Sequence, residues 1–227
     1  MIKAVIFDLD NTLLDFMKMK SSAVNAAVRG MIEAGLEVST EETISQIFDI
    51  YNLRGYEYQE VFDDYLRKEI GYLDYKILAS AIVAYRKSKE ASLVLYPNVN
   101  RTLFTLSKMG LKLGVVSDAP SREAWLRLCY LNLHHIFDAV VTFDVTGKHK
   151  PSPIPFLKAA ELLEINPENM LMIGDWPARD IIGAKEVGMK TAFAKYGDTF
   201  NTQESGADYD LEDIFELVKI VKKENSR

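Results

Sequence analysis

Five short apolar runs recur along this 227-residue chain, and the later ones are spaced to leave room for a helix between them: AVIF at 4–7, LGVV at 113–116, AVVTF at 139–143, MLMI at 170–173 and TAFA at 191–194. Runs of this length, rich in aliphatic and β-branched side chains, suit strands buried on both faces, as parallel strands are. Helical patterns stand between the later runs, in SREAWLRLCYL, PIPFLKAAELL and ARDIIGAKEV, and another follows in LEDIFELVKIVKK. The alternation predicts an α/β fold built on a doubly wound parallel sheet.

One interval breaks the rhythm. From about residue 15 to 95 there is no strand pattern, only amphipathic faces: Val24, Val28, Met31 and Ile32; Ile44, Ile47, Phe48 and Tyr51; Val61, Phe62, Tyr65 and Leu66; Leu78, Ile82 and Tyr85. We read a four-helix insertion over 15–94, with 1–14 and 95–227 forming the sheet domain and the chain returning to it near Tyr96-Pro97.

Composition narrows the function. A hydrophobic share of 48% against 26% charged residues is that of a globular protein able to bury a core. The formal net charge of −6 disfavours a nucleic-acid binder that neutralises many phosphates. No run approaches the roughly 18 apolar residues of a spanning helix, and no secretory cleavage pattern follows the first strand, so a cytoplasmic protein with no membrane partner is expected. The single cysteine, Cys129, forms no internal disulfide, and its apolar surroundings (WLRLCYL) predict a buried thiol.

Ligands of open parallel sheets bind beyond the carboxyl ends of the strands. Four polar clusters fall at such ends: Asp8-Leu9-Asp10-Asn11-Thr12, Ser117-Asp118, Lys150-Pro151, and Gly174-Asp175 through Asp180. Each has an ordinary reading as a turn, a helix cap or a solvated charge. Together they would gather three or four carboxylates near one point, which requires a compensating cation or proton. A hard divalent metal, Mg²⁺ first, suits oxygen ligands and a phosphate oxygen. Ser117 and Lys150 then offer a hydroxyl donor and a fixed positive charge to the same phosphate.

In this order the clusters resemble the motifs of the haloacid dehalogenase superfamily. DxDx[TV] matches Asp8, Asp10 and Thr12; the Ser or Thr after a strand matches Ser117; the Lys before Pro matches Lys150; GDxxxxD matches Gly174, Asp175 and Asp180. Many members carry glycine where Asn11 stands here. The helical insertion has the place and size of that superfamily's cap domain.

The resemblance implies roles. Asp8 would be the nucleophile forming an aspartyl-phosphate. Asp10 would protonate the leaving group and then activate water, with its backbone carbonyl on the metal. Asp175 would be a further metal ligand, and Asp180 another, directly or through water. Ser117 and Lys150 would contact the phosphoryl group, with backbone amides at Leu9 and at Asp118 or Ala119 adding donors and Thr12 orienting the loop. Lys148 is the rival to Lys150 within GKHKP. On the cap, Arg54, Tyr51 and Lys18 are candidate substrate contacts.

Dehalogenases resemble one another in lacking the second aspartate, so Asp10 favours a phosphatase. All three histidines lie outside the insertion, which disfavours a mutase gated by a cap histidine. The expected partner is a small phosphate ester, glyceraldehyde 3-phosphate or another sugar phosphate, handled by a monomer or homodimer. A 2-haloacid dehalogenase and a non-catalytic binding protein on the same scaffold are the alternatives.

Overall fold

The computed structural model describes residues 1–226. The chain divides into two compact units, Met1–Asp15 with the chain from Val94 onward, and Phe16–Leu93.

The first unit is a six-stranded, wholly parallel sheet in the order β3-β2-β1-β4-β5-β6. The strands are β1 (Ala4–Phe7), β2 (Lys112–Val116), β3 (Ala139–Val141), β4 (Met170–Gly174), β5 (Lys190–Ala194) and β6 (Tyr209–Leu211). Every residue of β1 and β4 is buried, as expected for central strands covered on both faces. Chain order runs outward from β1 through β2 to β3, then restarts at β4 on the other side. The reversal lies between β1 and β4, and the loops leaving those two strands diverge over a crevice.

The helices of this unit include α5 (Val99–Lys108), α6 (Ser121–Tyr130), α7 (Phe143–Thr146), α8 (Pro153–Leu163), α9 (Ile182–Glu186) and α10 (Glu216–Asn225). On one side Ile6, Val116, Val141 and Met172 pack with Phe156, Ala159 and Ala184 in a single apolar cluster.

The structure departs from the sequence expectations in several places. AVVTF ends as a strand at Val141, because Thr142 leads directly into α7. LEDIFEL does not begin the last helix: Leu211 belongs to β6 and α10 starts at Glu216. Cys129 is exposed rather than buried. The buried stripe of α6 is Glu123, Ala124, Arg127 and Leu128, and the next residue round the helix points away from it.

The second unit consists of α1 (Phe16–Glu33), α2 (Thr40–Arg54), α3 (Val61–Ile70) and α4 (Tyr75–Ala91). The expected apolar faces meet in one core around Val28, Met31, Ile47, Tyr65 and Ala81, with Ile32, Ile44, Phe48, Ile82 and Tyr85 at its margin. Ser39 and Asp74 cap α2 and α4 by accepting from Glu42 N and from Lys76 and Ile77 N. Gly30 lets α1 approach α4: a Cβ there would crowd the Ser80 carbonyl oxygen and the Ala84 methyl. Among the described residues no helix is long and apolar enough to cross a membrane.

Neighbouring positions on α8 test the core assignment. Phe156 is fully buried and Leu157 is 48% exposed. Phe156→Ala is expected to lower unfolding free energy by about 3–5 kcal/mol, and Leu157→Ala by about 0.5 kcal/mol or less, as read by urea denaturation.

Candidate functional site

Four loops at the carboxyl ends of β1, β2, β3 and β4 bring the sequence-predicted residues together. Asp8 directly follows β1, its amide donating to Ile173 O of β4 at 2.8 Å. Asp175 directly follows β4, so adjacent strands deliver two carboxylates side by side. Asp180 returns to the same place because the chain after Asp175 makes a π-helical turn over Pro177–Ile181. Asp180 Oδ2 also accepts from Trp176 N at 3.0 Å. Ligand oxygens of Asp8, Asp175 and Asp180, all buried, lie within 4.8 Å of one another.

Gly174 is required by this arrangement. A Cβ at that position would overlap the Asp180 carboxylate. The glycine of GDxxxxD therefore makes room for the last aspartate of the same motif.

Lys150 is a buried cation bound to this cluster. Its side chain is 3% exposed, and Nζ donates to Asp8 Oδ1 at 2.5 Å, Asp180 Oδ1 at 2.6 Å and Val116 O at 3.1 Å. Lys148, the rival position, is exposed. Burial alone would push the Lys150 amine down, but Asp180, Asp8 and Asp118 outweigh burial and hold it above the usual lysine range.

One lysine does not balance three buried carboxylates. Burial first, and then the negative charges of Asp8 and Asp180, raise the Asp175 carboxyl well above the ordinary carboxylate range, against the pull of Lys150. Burial likewise raises Asp180 to about 6, with Lys150 lowering and Asp8 raising it further. A site whose own cation leaves its carboxylates this basic fits a hard divalent ion, for which all three offer oxygen donors.

The remaining residues frame the cluster. Thr12 Oγ1 lies 3.4 Å from Asp8 Oδ2 and 3.2 Å from Asp175 Oδ1, one hydroxyl between two carboxylates. Ser117, buried after β2, accepts from Ala119 N at 3.2 Å, which leaves its hydroxyl proton for another acceptor. The Ala119 amide is thereby engaged. Asp118 ties the loops together, accepting from Lys150 N at 2.9 Å and from Arg179 Nη1 at 3.0 Å. Asn11 takes a positive φ of 58°, a conformation open to asparagine as well as to glycine, the residue expected there by resemblance.

Asp10 stands apart from the three clustered carboxylates. Its Oδ2 accepts from Arg127 Nη1 of α6 at 2.9 Å. Arg127 was not singled out by motif, and neither was the segment after β5. There Tyr196 donates its hydroxyl to Thr12 O at 2.8 Å, and Gly197 packs so closely on Asn11 O that no Cβ would fit. The signal available for Arg127 was a cationic residue standing on the apolar stripe of a helix, at i+3 from Ala124 and next to Leu128.

The helical-unit candidates are placed as follows. Arg54 ends α2, exposed, with its guanidinium 5.6 Å from the Tyr58 ring. Lys18 is exposed. Tyr51 is 2% exposed, stacked on Tyr56 and lying 4.0 Å beneath Lys20 Nζ, and burial pushes its hydroxyl far above the ordinary tyrosine range. It is a packing residue of that unit's core.

Known proteins are similar to this chain over most of its length. The family model for haloacid dehalogenase-like hydrolases matches residues 5–194. The chain is 38% identical over 216 residues to a glyceraldehyde 3-phosphate phosphatase of Methanopyrus kandleri, spanning 94% of this chain and 92% of that one. It is 36% identical over 225 residues to the protein of that name from Methanocaldococcus jannaschii, spanning 98% of both. A crystal structure of a phosphatase of this family from Thermococcus onnurineus superimposes with a TM-score of 0.71 at 27% identity, covering 97% of this chain and 98% of that one.

The raised Asp180 carboxyl gives the metal-free protein a pH signature. A carboxyl raised from 3.8 to about 6 by folding contributes stability that is fully present below pH 3.8 and lost as pH rises through 6. The melting temperature of wild type relative to Asp180→Asn should therefore fall between pH 4 and pH 6.5 in chelator. Added divalent cation should reverse the fall at the upper end.

Proposed function

The chain belongs to the haloacid dehalogenase-like hydrolases, and from that premise we propose that it is a Mg²⁺-dependent phosphatase that hydrolyses a small phosphate ester through an aspartyl-phosphate on Asp8. One observation carries this reading: the two aspartates of the first motif have different surroundings. Asp8 is bound to Lys150 within the buried carboxylate trio, and Asp10, which is not part of that trio, is paired with Arg127. Paired carboxylates in unlike environments are suited to unlike tasks, one as nucleophile and one as proton carrier.

In the first step a carboxylate oxygen of Asp8 attacks phosphorus and the bond to the leaving alkoxide breaks, while Asp10 delivers a proton to the departing oxygen. In the second step Asp10 takes a proton from water as the water attacks the aspartyl-phosphate, and inorganic phosphate leaves as Asp8 is regenerated. Lys150 donates to the Asp8 carboxylate and offsets charge on the transferring group, and the Ser117 hydroxyl donates to a phosphoryl oxygen. Asp8, Asp175 and the Asp10 carbonyl, with Asp180 directly or through water, would hold Mg²⁺. The ion would screen the attacking carboxylate from the incoming dianion.

The helical unit Phe16–Leu93 leaves the sheet unit five residues after Asp10 and rejoins it at Val94, where Tyr96 N donates to Leu13 O and Leu14 pairs with Leu95. In our reading it serves as a cap that excludes water during the first step and selects small esters, with Arg54 as a candidate contact. The names of the two curated relatives make glyceraldehyde 3-phosphate the first substrate to try.

Hydrolysis of p-nitrophenyl phosphate tests the chemistry. Activity should require Mg²⁺, vanish with chelator or with Asp8→Asn, and fall by about 10²–10³ in kcat with Lys150→Met. Chloride release from 2-chloropropionate without Mg²⁺, and no phosphate release, would reverse the choice in favour of a dehalogenase. A panel of phosphorylated metabolites ranked by kcat/KM then tests the substrate, with glyceraldehyde 3-phosphate expected at the top.

A further inference from the structure

Arg127 is a cation on the buried stripe of α6, with its side chain only 2% exposed. Its neighbours on that stripe are Ala124 and Leu128, both fully buried, and Glu123 one turn earlier, 6% exposed and accepting from Arg122 Nε at 3.2 Å. An apolar residue would complete the stripe at lower desolvation cost. A buried ion pair adds little stability over well-packed apolar side chains, so its presence points to something other than stability.

The partner identifies the task. Arg127 Nη1 reaches across 117 positions of sequence to Asp10 Oδ2 at 2.9 Å, and the Asp10 side chain is 24% exposed. Asp10 occupies the loop after β1, beside the positive φ of Asn11, and pairs with Leu14 only through an isolated bridge, so its side chain projects from a turn and not from a strand. A proton carrier must meet the leaving oxygen at a fixed distance and angle, and small misplacements cost large factors in rate. A planar guanidinium held on a rigid helix supplies such a fixed point.

We infer that Arg127 is a positioning residue for the acid-base step, fixing the Asp10 carboxylate against the leaving-group oxygen. This rests on the proposed phosphatase reading and adds to it a residue outside the four motifs. Arg127 acts through Asp10 and need not touch substrate.

The role predicts a dependence on the leaving group that a structural role lacks. An alkoxide needs a proton as it departs, whereas p-nitrophenolate and 2,4-dinitrophenolate depart without one. Since kcat/KM reports events through the first irreversible step, it isolates phosphorylation of Asp8 from later hydrolysis. The experiment measures kcat/KM of wild type, Arg127→Gln, Arg127→Lys, Asp10→Asn and the Asp10→Asn/Arg127→Gln double variant on glycerol phosphate and on 2,4-dinitrophenyl phosphate.

General acid catalysis contributes about 10²–10⁴, and Arg127→Gln should forfeit about 10-fold or more of it on the alkyl ester. On the dinitrophenyl ester it should lose less than about threefold, if only ground-state packing is disturbed. Arg127→Lys should fall between wild type and Arg127→Gln on the alkyl ester. In the Asp10→Asn background, Arg127→Gln should cost almost nothing further. Equal losses on both esters, or no loss on either, would overturn the inference.

If Arg127→Gln does not fold, as judged by circular dichroism, Arg127→Lys and its double variant with Asp10→Asn carry the comparison. The phosphatase reading fails separately: wild type would then hydrolyse neither ester, or Asp10→Asn would show no preference between them.

Discussion

The site is organised around an excess of negative charge at the carboxyl ends of β1 and β4. Those strands are neighbours in register, so the residues that follow them, Asp8 and Asp175, emerge side by side. The π-helical turn adds Asp180 to the same space. Lys150, brought in from beyond β3, answers part of this charge, and Ser117 and Thr12 supply hydroxyls around it. Every other feature follows from accommodating that density: Gly174 lacks a side chain to clear Asp180, and Asp118 fastens the Lys150 loop to Arg179. Burial first, and then the like charges gathered beside them, raise the proton affinity of Asp175 and Asp180, which is why both lie above the ordinary carboxylate range.

Much of this was legible in the sequence because polar clusters interrupt apolar runs. Asp8, Ser117 and Asp175 each stand at the first position after a run of buried strand residues, and the sheet assembles those positions at one edge. The helices of Phe16–Leu93 were legible for the complementary reason, an apolar period near 3.6 with no alternation. The strand β6 was not, since Tyr-Asp-Leu presents only one buried side chain and rides on the sheet edge beside β5. Nor was the start of α10, because Leu211 and Ile214 are buried by the strand and the turn that precede the helix.

The pair Cys129 and Arg127 shows where residue-type expectations mislead. Both lie on α6, and hydropathy places the thiol inside and the guanidinium outside. The structure reverses them, because the buried stripe of α6 is 123, 124, 127 and 128. A long-range ion pair to Asp10 makes burial of the guanidinium tolerable, and sequence alone carries no record of a partner 117 residues away. The motif residues were found by chemistry repeated at strand ends. The residue that supports one of them was not, because its task depends on tertiary placement.

The proposed mechanism requires covalent attachment of phosphate to Asp8. Borohydride reduction of enzyme quenched during turnover converts an aspartyl-phosphate to homoserine, and peptide mass spectrometry locates the change. Homoserine is expected at position 8, enriched in Asp10→Asn, where hydrolysis of the intermediate is slowed. An unmodified peptide containing Asp8 recovered from enzyme that carries phosphate on another residue would contradict it.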